Sequence, residues 1–166
     1  FEILIIDDAS SDGTAAAAAR LADVDVRIRC FRNEQNLGIS KSRNRGVSLA
    51  AGEYVAMLDS DDYWLAPGKL ARQVALLEAD PELVLVGTGI VLVDKAGKRL
   101  KRDIYATEDA AIRSRMLAKN QFCQSSVLFR KSAFEKTGGY DENLVVCEDY
   151  GLWLEMGKAG KLANLP

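Results

Sequence analysis

The sequence contains no histidine. That absence removes the Ser-His-Asp triad, the Cys-His pair, the zincin helix and the histidine phosphorelay. Proton transfer must fall to Asp, Glu, Lys, Tyr or Cys. Cysteine is scarce. Cys30, Cys123 and Cys147 are far apart, odd in number and never in a CxxC spacing, so a structural zinc site is not expected. They read as free thiols, buried or half-buried, which suits a reducing compartment. No apolar run approaches the roughly 20 residues that span a bilayer. The chain opens on a strand pattern without a charged leader, so no signal peptide is expected. These readings predict a cytoplasmic location. No sign of charge dominates either: 22 Lys+Arg stand against 24 Asp+Glu, for a net charge of −2. A basic nucleic-acid footprint is therefore not expected.

The 166 residues fit one domain, and a composition 48% hydrophobic and 28% charged can build a core. Phe1 to Ile6 is apolar apart from Glu2 and ends at Asp7-Asp8, as a strand buried on both faces reads. Thr14 to Ala22 reads as a helix, and Val24 to Cys30 alternates as a second strand. After a loop at Asn33 to Gly38 comes a helix from Ile39 to Ala51, then a third strand from Glu53 to Leu58. Pro67 is predicted to open a helix carrying Leu70, Val74 and Leu77. Leu83 to Val93 reads as a strand, followed by a turn at Asp94 to Gly97. Thr107 is expected to cap the next helix. A strand from Ser125 to Arg130, helices at Lys131 to Thr137 and Glu148 to Ala159, and a strand start at Leu162 complete the pattern. The alternation of strands and helices predicts an α/β fold: a mainly parallel central sheet, helices on both faces, and a mixed second half. Ligands of such sheets bind beyond the carboxyl ends of the strands.

Both acidic clusters fall at such ends. Asp7 and Asp8 close the first strand; Asp59, Asp61 and Asp62 close the third. Carboxylates crowded together raise one another's pKa, and a divalent cation relieves that. Asp oxygens suit Mg²⁺ or Mn²⁺, typically one or two carboxylates with substrate phosphates completing the shell. The plainer alternative is helix capping, which is the reading for Asp12. Arg43, Asn44 and Arg45 lie on the helix before the third strand, where a cation can hold a phosphate or carboxylate or simply face solvent. Gly38 at the start of that helix permits close backbone approach. Glu148 and Asp149 open the last helix, where an ionised carboxylate is favoured and a base can be charged at neutral pH.

The strings IIDDASSDGT, NLGISKSRNRG, GEYVAMLDSDDYWLAPGKL, CQSSVLFRKSAFEKTGGYDE and CEDYGLWLEM, in this order, resemble the inverting family-two glycosyltransferases. The resemblance implies a GT-A, Rossmann-like fold. It implies a nucleotide-binding half at about 1–90 and an acceptor-side half at about 91–166, in one domain. It places Asp7 and Asp8 at the nucleobase and matches Asp59, Asp61 and Asp62 to the DxD segment for ribose, diphosphate and Mn²⁺ or Mg²⁺. With Arg43 these form the expected donor site, Asp61 and Asp62 being the metal ligands. Asp149 matches the catalytic base. The implied reaction is inverting, metal-dependent transfer of a sugar from a nucleotide-diphosphate sugar, a UDP-sugar foremost, to a hydroxyl of a glycan, lipid-linked or other acceptor. Polysaccharide or glycoconjugate synthesis is the implied setting, with peripheral association at the inner face of a membrane. The chain starts at what corresponds to the family's second strand and stops before the family's end, so a piece of a longer protein is expected. Gln124 stands where many relatives carry His. Two other readings remain at this point: a nucleotide-sugar-binding module without catalysis, and a phospho-receiver domain. The second lacks the Lys-Pro such domains place after a later strand, and its acceptor Asp needs no Asp61-Asp62 beside it.

Overall fold

The computed structural model describes residues 1–166. The apolar run forms β1 (Ile3–Asp7), paired in parallel with β2 (Ile28–Arg32), Ile3 opposite Ile28 and Asp7 opposite Arg32. The Ala-rich crossover between them is α1 (Thr14–Val24), which buries Ala18. Just before it, Asp12 accepts the Thr14 N–H at 2.9 Å, the local role expected of it. The second strand is shorter than its alternation predicts. Val24 ends α1 instead, and Val26 lies 96% exposed in a turn. Asp25 closes that turn by accepting the Arg27 N–H at 2.9 Å and its guanidinium at 2.7 Å. β1 is also less buried than expected, with Ile3 43% exposed, because only β2 pairs with it.

Next come α2 (Ile39–Leu49), β3 (Tyr54–Ala56) and α3 (Lys69–Ala79). α3 opens two residues after the predicted Pro67, past Gly68. The predicted Leu83–Val93 strand breaks into β4 (Leu83–Thr88) and β5 (Ile90–Val93). The break falls at Gly89, whose N–H donates to the Leu165 carbonyl of the last strand at 3.0 Å. β5 pairs antiparallel with β6 (Arg99–Asp103) across the expected turn, where Asp94 accepts the N–H groups of Ala96 and Lys98. α4 (Asp109–Met116) is preceded by Glu108 rather than by the predicted cap Thr107. β7 (Leu128–Arg130) follows a single 3₁₀ turn at Gln124–Ser126, where the strand was expected to begin. α5 (Lys131–Thr137), α6 (Glu148–Ala159) and β8 (Lys161–Leu165) end the chain.

The central sheet has the order β3-β7-β4-β8. β7 is antiparallel to both β3 and β4, and β8 is parallel to β4, so three of its four strands share one direction. One face buries Leu77 of α3 with Leu83, Val86 and Leu128. The other packs against α4, α5 and α6 through Leu85, Phe122, Phe129, Phe134, Tyr140 and Trp153. Those rings touch at centroid separations from 5.4 to 6.4 Å, a rigid floor beneath the crevice that follows. The cysteines differ from expectation: all three are free, but Cys30 and Cys147 are exposed and only Cys123 is half-buried. Cys30 lies on thinly covered β2, and Cys147 on the turn before α6.

Candidate active site

Asp8 follows β1 and joins it to the start of α2. Its Oδ1 accepts the Asn33 amide at 2.7 Å and the Leu37 N–H at 2.8 Å; its Oδ2 accepts the Gly38 N–H at 2.9 Å. Gly38 has φ of +86°, a backbone that side-chain-bearing residues rarely adopt, and this turns the N–H groups toward the carboxylate. Burial pushes the Asp8 carboxyl up, but the donors of Leu37, Asn33, Ser42 and Gly38 outweigh it and hold it below the ordinary carboxylate range. Asp7 is 6% exposed. Its Oδ1 accepts the Ser10 N–H, and its Oδ2 makes no hydrogen bond, with Arg32 Nε 3.5 Å away. Ala9, between Asp8 and Ser10, holds φ of +60°, strained for a residue with a side chain.

Asp59 follows β3. Its N–H donates to Ser125 Oγ at 3.0 Å, and Trp64 Nε1 donates to the Ser125 carbonyl at 2.8 Å, which pins the loop after β3 to the turn before β7. Arg43, from the second turn of α2, donates one amino group to both Asp59 oxygens, at 2.8 and 3.0 Å. Its other amino group donates to Glu148 Oε1 at 2.6 Å. Asp61 and Asp62 lie exposed beyond Asp59, and their carboxylates make no protein hydrogen bond or ion pair. Asn44 and Arg45 are engaged as well: Asn44 donates to the Tyr140 carbonyl, and Arg45 to Asn33 and the Arg32 carbonyl.

Asp149 is the second residue of α6. Its Oδ1 accepts the Tyr150 N–H at 2.7 Å and its Oδ2 accepts the Asn120 amide at 3.3 Å. Burial pushes its pKa up, the neighbouring Glu148 adds to this, and Tyr150, Asn120 and Arg43 pull the other way without cancelling it. A carboxylate raised in this way is a better proton acceptor than an exposed one. Cys123 is pushed up by burial and by Asp62, Asp59 and Asp149; burial and the charges of Cys123, Asp103 and Asp149 push Tyr105 up to about 12. The structure links these stretches through α2: Asp8 bonds Gly38 before the helix, Arg43 on the helix bonds Asp59, and its other amino group bonds Glu148, the neighbour of Asp149.

Sequence reasoning missed Asn120 and Tyr105, which sit in connecting segments with no pattern to mark them, and read Cys123 only as a free thiol. It missed Lys69 too. This ammonium lies 4.4 Å from the Trp64 ring centre, donates to Gln73 at 2.9 Å, and is lowered by burial to about 8. Gln124 is buried and donates to the Tyr140 hydroxyl at 2.8 Å. No three acidic or thiol side chains converge as a cage for a cation. The acids fit a divalent ion in the other way available, with exposed, unpaired hard oxygens of Asp61 and Asp62 contributing part of a shell that substrate phosphates complete.

The family model described as glycosyl transferase family 2 matches residues 1–138. The amylovoran biosynthesis glycosyltransferase AmsE of Erwinia amylovora is 36% identical over 166 residues, covering 99% of this chain and 60% of AmsE. The succinoglycan biosynthesis protein ExoO of Rhizobium meliloti is 31% identical, covering 90% of this chain and 45% of ExoO. The chain thus spans about half the length of the curated relatives it matches. Among solved structures, the mannosyltransferase PcManGT of Pyrobaculum calidifontis, in complex with GDP-Man and Mn²⁺, superposes with a TM-score of 0.73 at 20% identity over 99% of this chain and 45% of that one. S. aureus TarS in complex with UDP gives a TM-score of 0.77 at 19% identity, over 99% and 48%. The α/β fold is the one these glycosyltransferases share. By its motifs, its fold and its match to the family model, the chain belongs to glycosyl transferase family 2.

Proposed function

We propose that this chain carries the donor-binding and catalytic centre of an inverting glycosyltransferase. It transfers a sugar from a nucleotide-diphosphate sugar to an acceptor hydroxyl in polysaccharide or glycoconjugate synthesis. The observation that carries this reading is the joining, along α2, of Asp8, Asp59 and Asp149 from three separate stretches of chain. The biosynthetic roles printed for AmsE and ExoO support the polysaccharide setting. A uridine donor is the proposal, supported by the UDP bound to TarS.

Asp149 takes the proton of the acceptor hydroxyl. That oxygen attacks the anomeric carbon from the face opposite the nucleotide, so the centre inverts and the nucleoside diphosphate leaves. Asp7 and Asp8 face the nucleobase, Asp8 keeping one lone pair of Oδ2 free for it. Asp59 and Asp61 face the ribose and diphosphate. Arg43 lies at the donor side, its positive charge set behind Asp59. Asp61 and Asp62 would hold Mn²⁺ or Mg²⁺, which when bound neutralises the departing diphosphate as a Lewis acid. No covalent intermediate is required, so the absence of histidine is no obstacle.

A thermal-shift panel of nucleotide sugars with and without Mn²⁺ tests the donor reading. A ligand at a hundred times its Kd stabilises by about 2.7 kcal/mol. Asp61→Ala and Asp62→Ala are expected to lose the Mn²⁺-dependent part of the shift. Unchanged Mn²⁺ dependence in both variants would remove these residues from the metal site. The proposal extends to a membrane surface, where lipid-linked acceptors reside. The β5–β6 hairpin carries Lys95, Lys98, Arg99, Lys101 and Arg102 in a chain whose net charge is −2. Cytoplasmic location accords with this reading, and no helix is long and apolar enough to cross a membrane.

A further inference from the structure

Arg43 is the one cation bonded to two acids of the crevice, Asp59 and Glu148. Its side chain is 11% exposed, that of Glu148 12% and that of Asp59 34%. Its two partners come from distant parts of the sequence: the loop after β3 and the first residue of α6. Lys161 also bridges two acids, Asp80 and Glu82, but those side chains are 40% and 73% exposed, where ion pairs contribute little. The guanidinium uses separate edges for Asp59 and Glu148, which a planar fork permits and an ammonium does not. Its carbon lies 5.5 Å from the centre of the Tyr140 ring. That ring is itself fixed: it is 1% exposed, and its hydroxyl accepts from Gln124. Its backbone exchanges bonds with Asn44, the residue after Arg43, at 2.9 Å in each direction. α2 therefore grips one aromatic anchor with two successive residues and reaches from there to both halves of the crevice.

We propose that Arg43 is a positioning residue that joins the donor-side loop at Asp59 to the base-bearing helix at Glu148. It fixes the distance between the donor and Asp149. This rests on the reading of Asp149 as the base. Glu148 is then the grip on α6 rather than a second acid. Held by Arg43, it leaves its neighbour Asp149 bonded to Asn120. A second consequence is electrostatic. Arg43 draws the Asp149 proton affinity down and Glu148 drives it up. Removing either partner should therefore shift the pH dependence of turnover in opposite directions. A role confined to holding the fold would not do that.

The test is steady-state kinetics of sugar transfer, with donor KM, kcat and the pH profile of kcat. The variants are Arg43→Gln, Arg43→Lys, Glu148→Gln and the double variant Arg43→Gln/Glu148→Gln. Displacing a catalytic group by about 1 Å can cost on the order of a hundredfold in rate. Both single Gln variants are expected to lose about ten- to a hundredfold in kcat. The double variant should be hardly worse than the poorer single one, because the two residues act through one bond. Arg43→Lys should keep the charge, and with it the pH profile, yet not restore kcat. The acid limb should move to higher pH in Arg43→Gln and to lower pH in Glu148→Gln. If Arg43→Gln does not fold, Arg43→Lys and Glu148→Gln decide the matter alone. A loss confined to donor KM, with Glu148→Gln silent, would make Arg43 a direct donor ligand and overturn the proposal. So would additive losses with an unmoved acid limb. Asp149→Asn run alongside separates the two layers: full activity in that variant sinks the assignment of the base, independently of Arg43.

Discussion

Two influences compete at Asp149. The N-terminus of α6 favours its ionised form, whereas burial and the adjacent Glu148 disfavour it, and the outcome is a pKa above the ordinary 3.8. Such a group costs stability when ionised in the folded state. Above its raised pKa the residue is charged both folded and unfolded, and the folded state carries the whole penalty. Below 3.8 it is protonated in both states and the penalty is gone. Asp149→Asn should therefore stabilise the protein at neutral pH, and the gain should fade as pH falls through the raised pKa. Urea denaturation at neutral and acidic pH reads this directly. The same variant should lose about 10²–10⁴ in transfer rate while donor affinity stays constant, since the base touches only the acceptor proton. A stability gain that persists unchanged at low pH would mean burial is not what raises the group. Asp149 was legible as a carboxylate opening a helix, and Asp12 as a local cap. The Arg43 bridge was not, because its acids lie 16 and 105 residues away and only the fold makes them neighbours.

α2 is the element on which the crevice depends, and it begins without a side-chain cap of its own. Asp8, 30 residues away in sequence, instead anchors the turn that leads into it, receiving the N–H groups of Leu37 and of Gly38, the residue before α2. These bonds fix the entry to the helix, and a carboxylate near its N-terminus also interacts favourably with the helix dipole. Asp8→Ala should cost about 2 kcal/mol, within the range for lost caps and unpaired buried donors. It should also loosen Arg43, one turn further along, so nucleotide binding and turnover should fall together. Chemical denaturation with a parallel donor titration checks both. A variant as stable as the parent would show that the capping bonds contribute nothing. Helices of this kind were legible from periodicity and their Gly and Pro boundaries. Strand limits were less so: the Val24–Cys30 alternation lost its first half to the Asp25 turn, and β4 and β5 part at Gly89. At Asp25 local hydrogen bonds to Arg27 override the alternation; at Gly89 the pairing with β8 ends and the chain passes to a different partner strand.

The charge of the whole molecule conceals a strong asymmetry. A net charge of −2 hides five cations between residues 95 and 102, all exposed on the β5–β6 hairpin. Among and beside them stand Leu92 at 45%, Leu100 at 64% and Ile104 at 59% exposure. At its base, Lys119 lies close enough to lower the Asp103 pKa, after the Lys101 contact that dominates it, and Leu117 nearby is 89% exposed. Cations interleaved with exposed apolar side chains suit an anionic lipid surface, where the charges draw the protein in and the leucines enter the interface. Each Lys or Arg near such a surface contributes about 1 kcal/mol, or about fivefold in partitioning. The hairpin forms its own two-stranded sheet, so replacing its cations leaves the central sheet and the crevice untouched. Co-sedimentation with vesicles containing phosphatidylserine should therefore fall by about a hundredfold in the triple variant Lys98→Gln/Arg99→Gln/Arg102→Gln. The parent's binding should weaken with salt as the screening length shortens from about 10 Å at 0.1 M toward 3 Å at 1 M. Donor-induced thermal shifts should be the same in parent and variant. Equal partitioning of the parent to neutral and anionic vesicles would reject the hairpin as a membrane contact, leaving the assignment of the crevice intact.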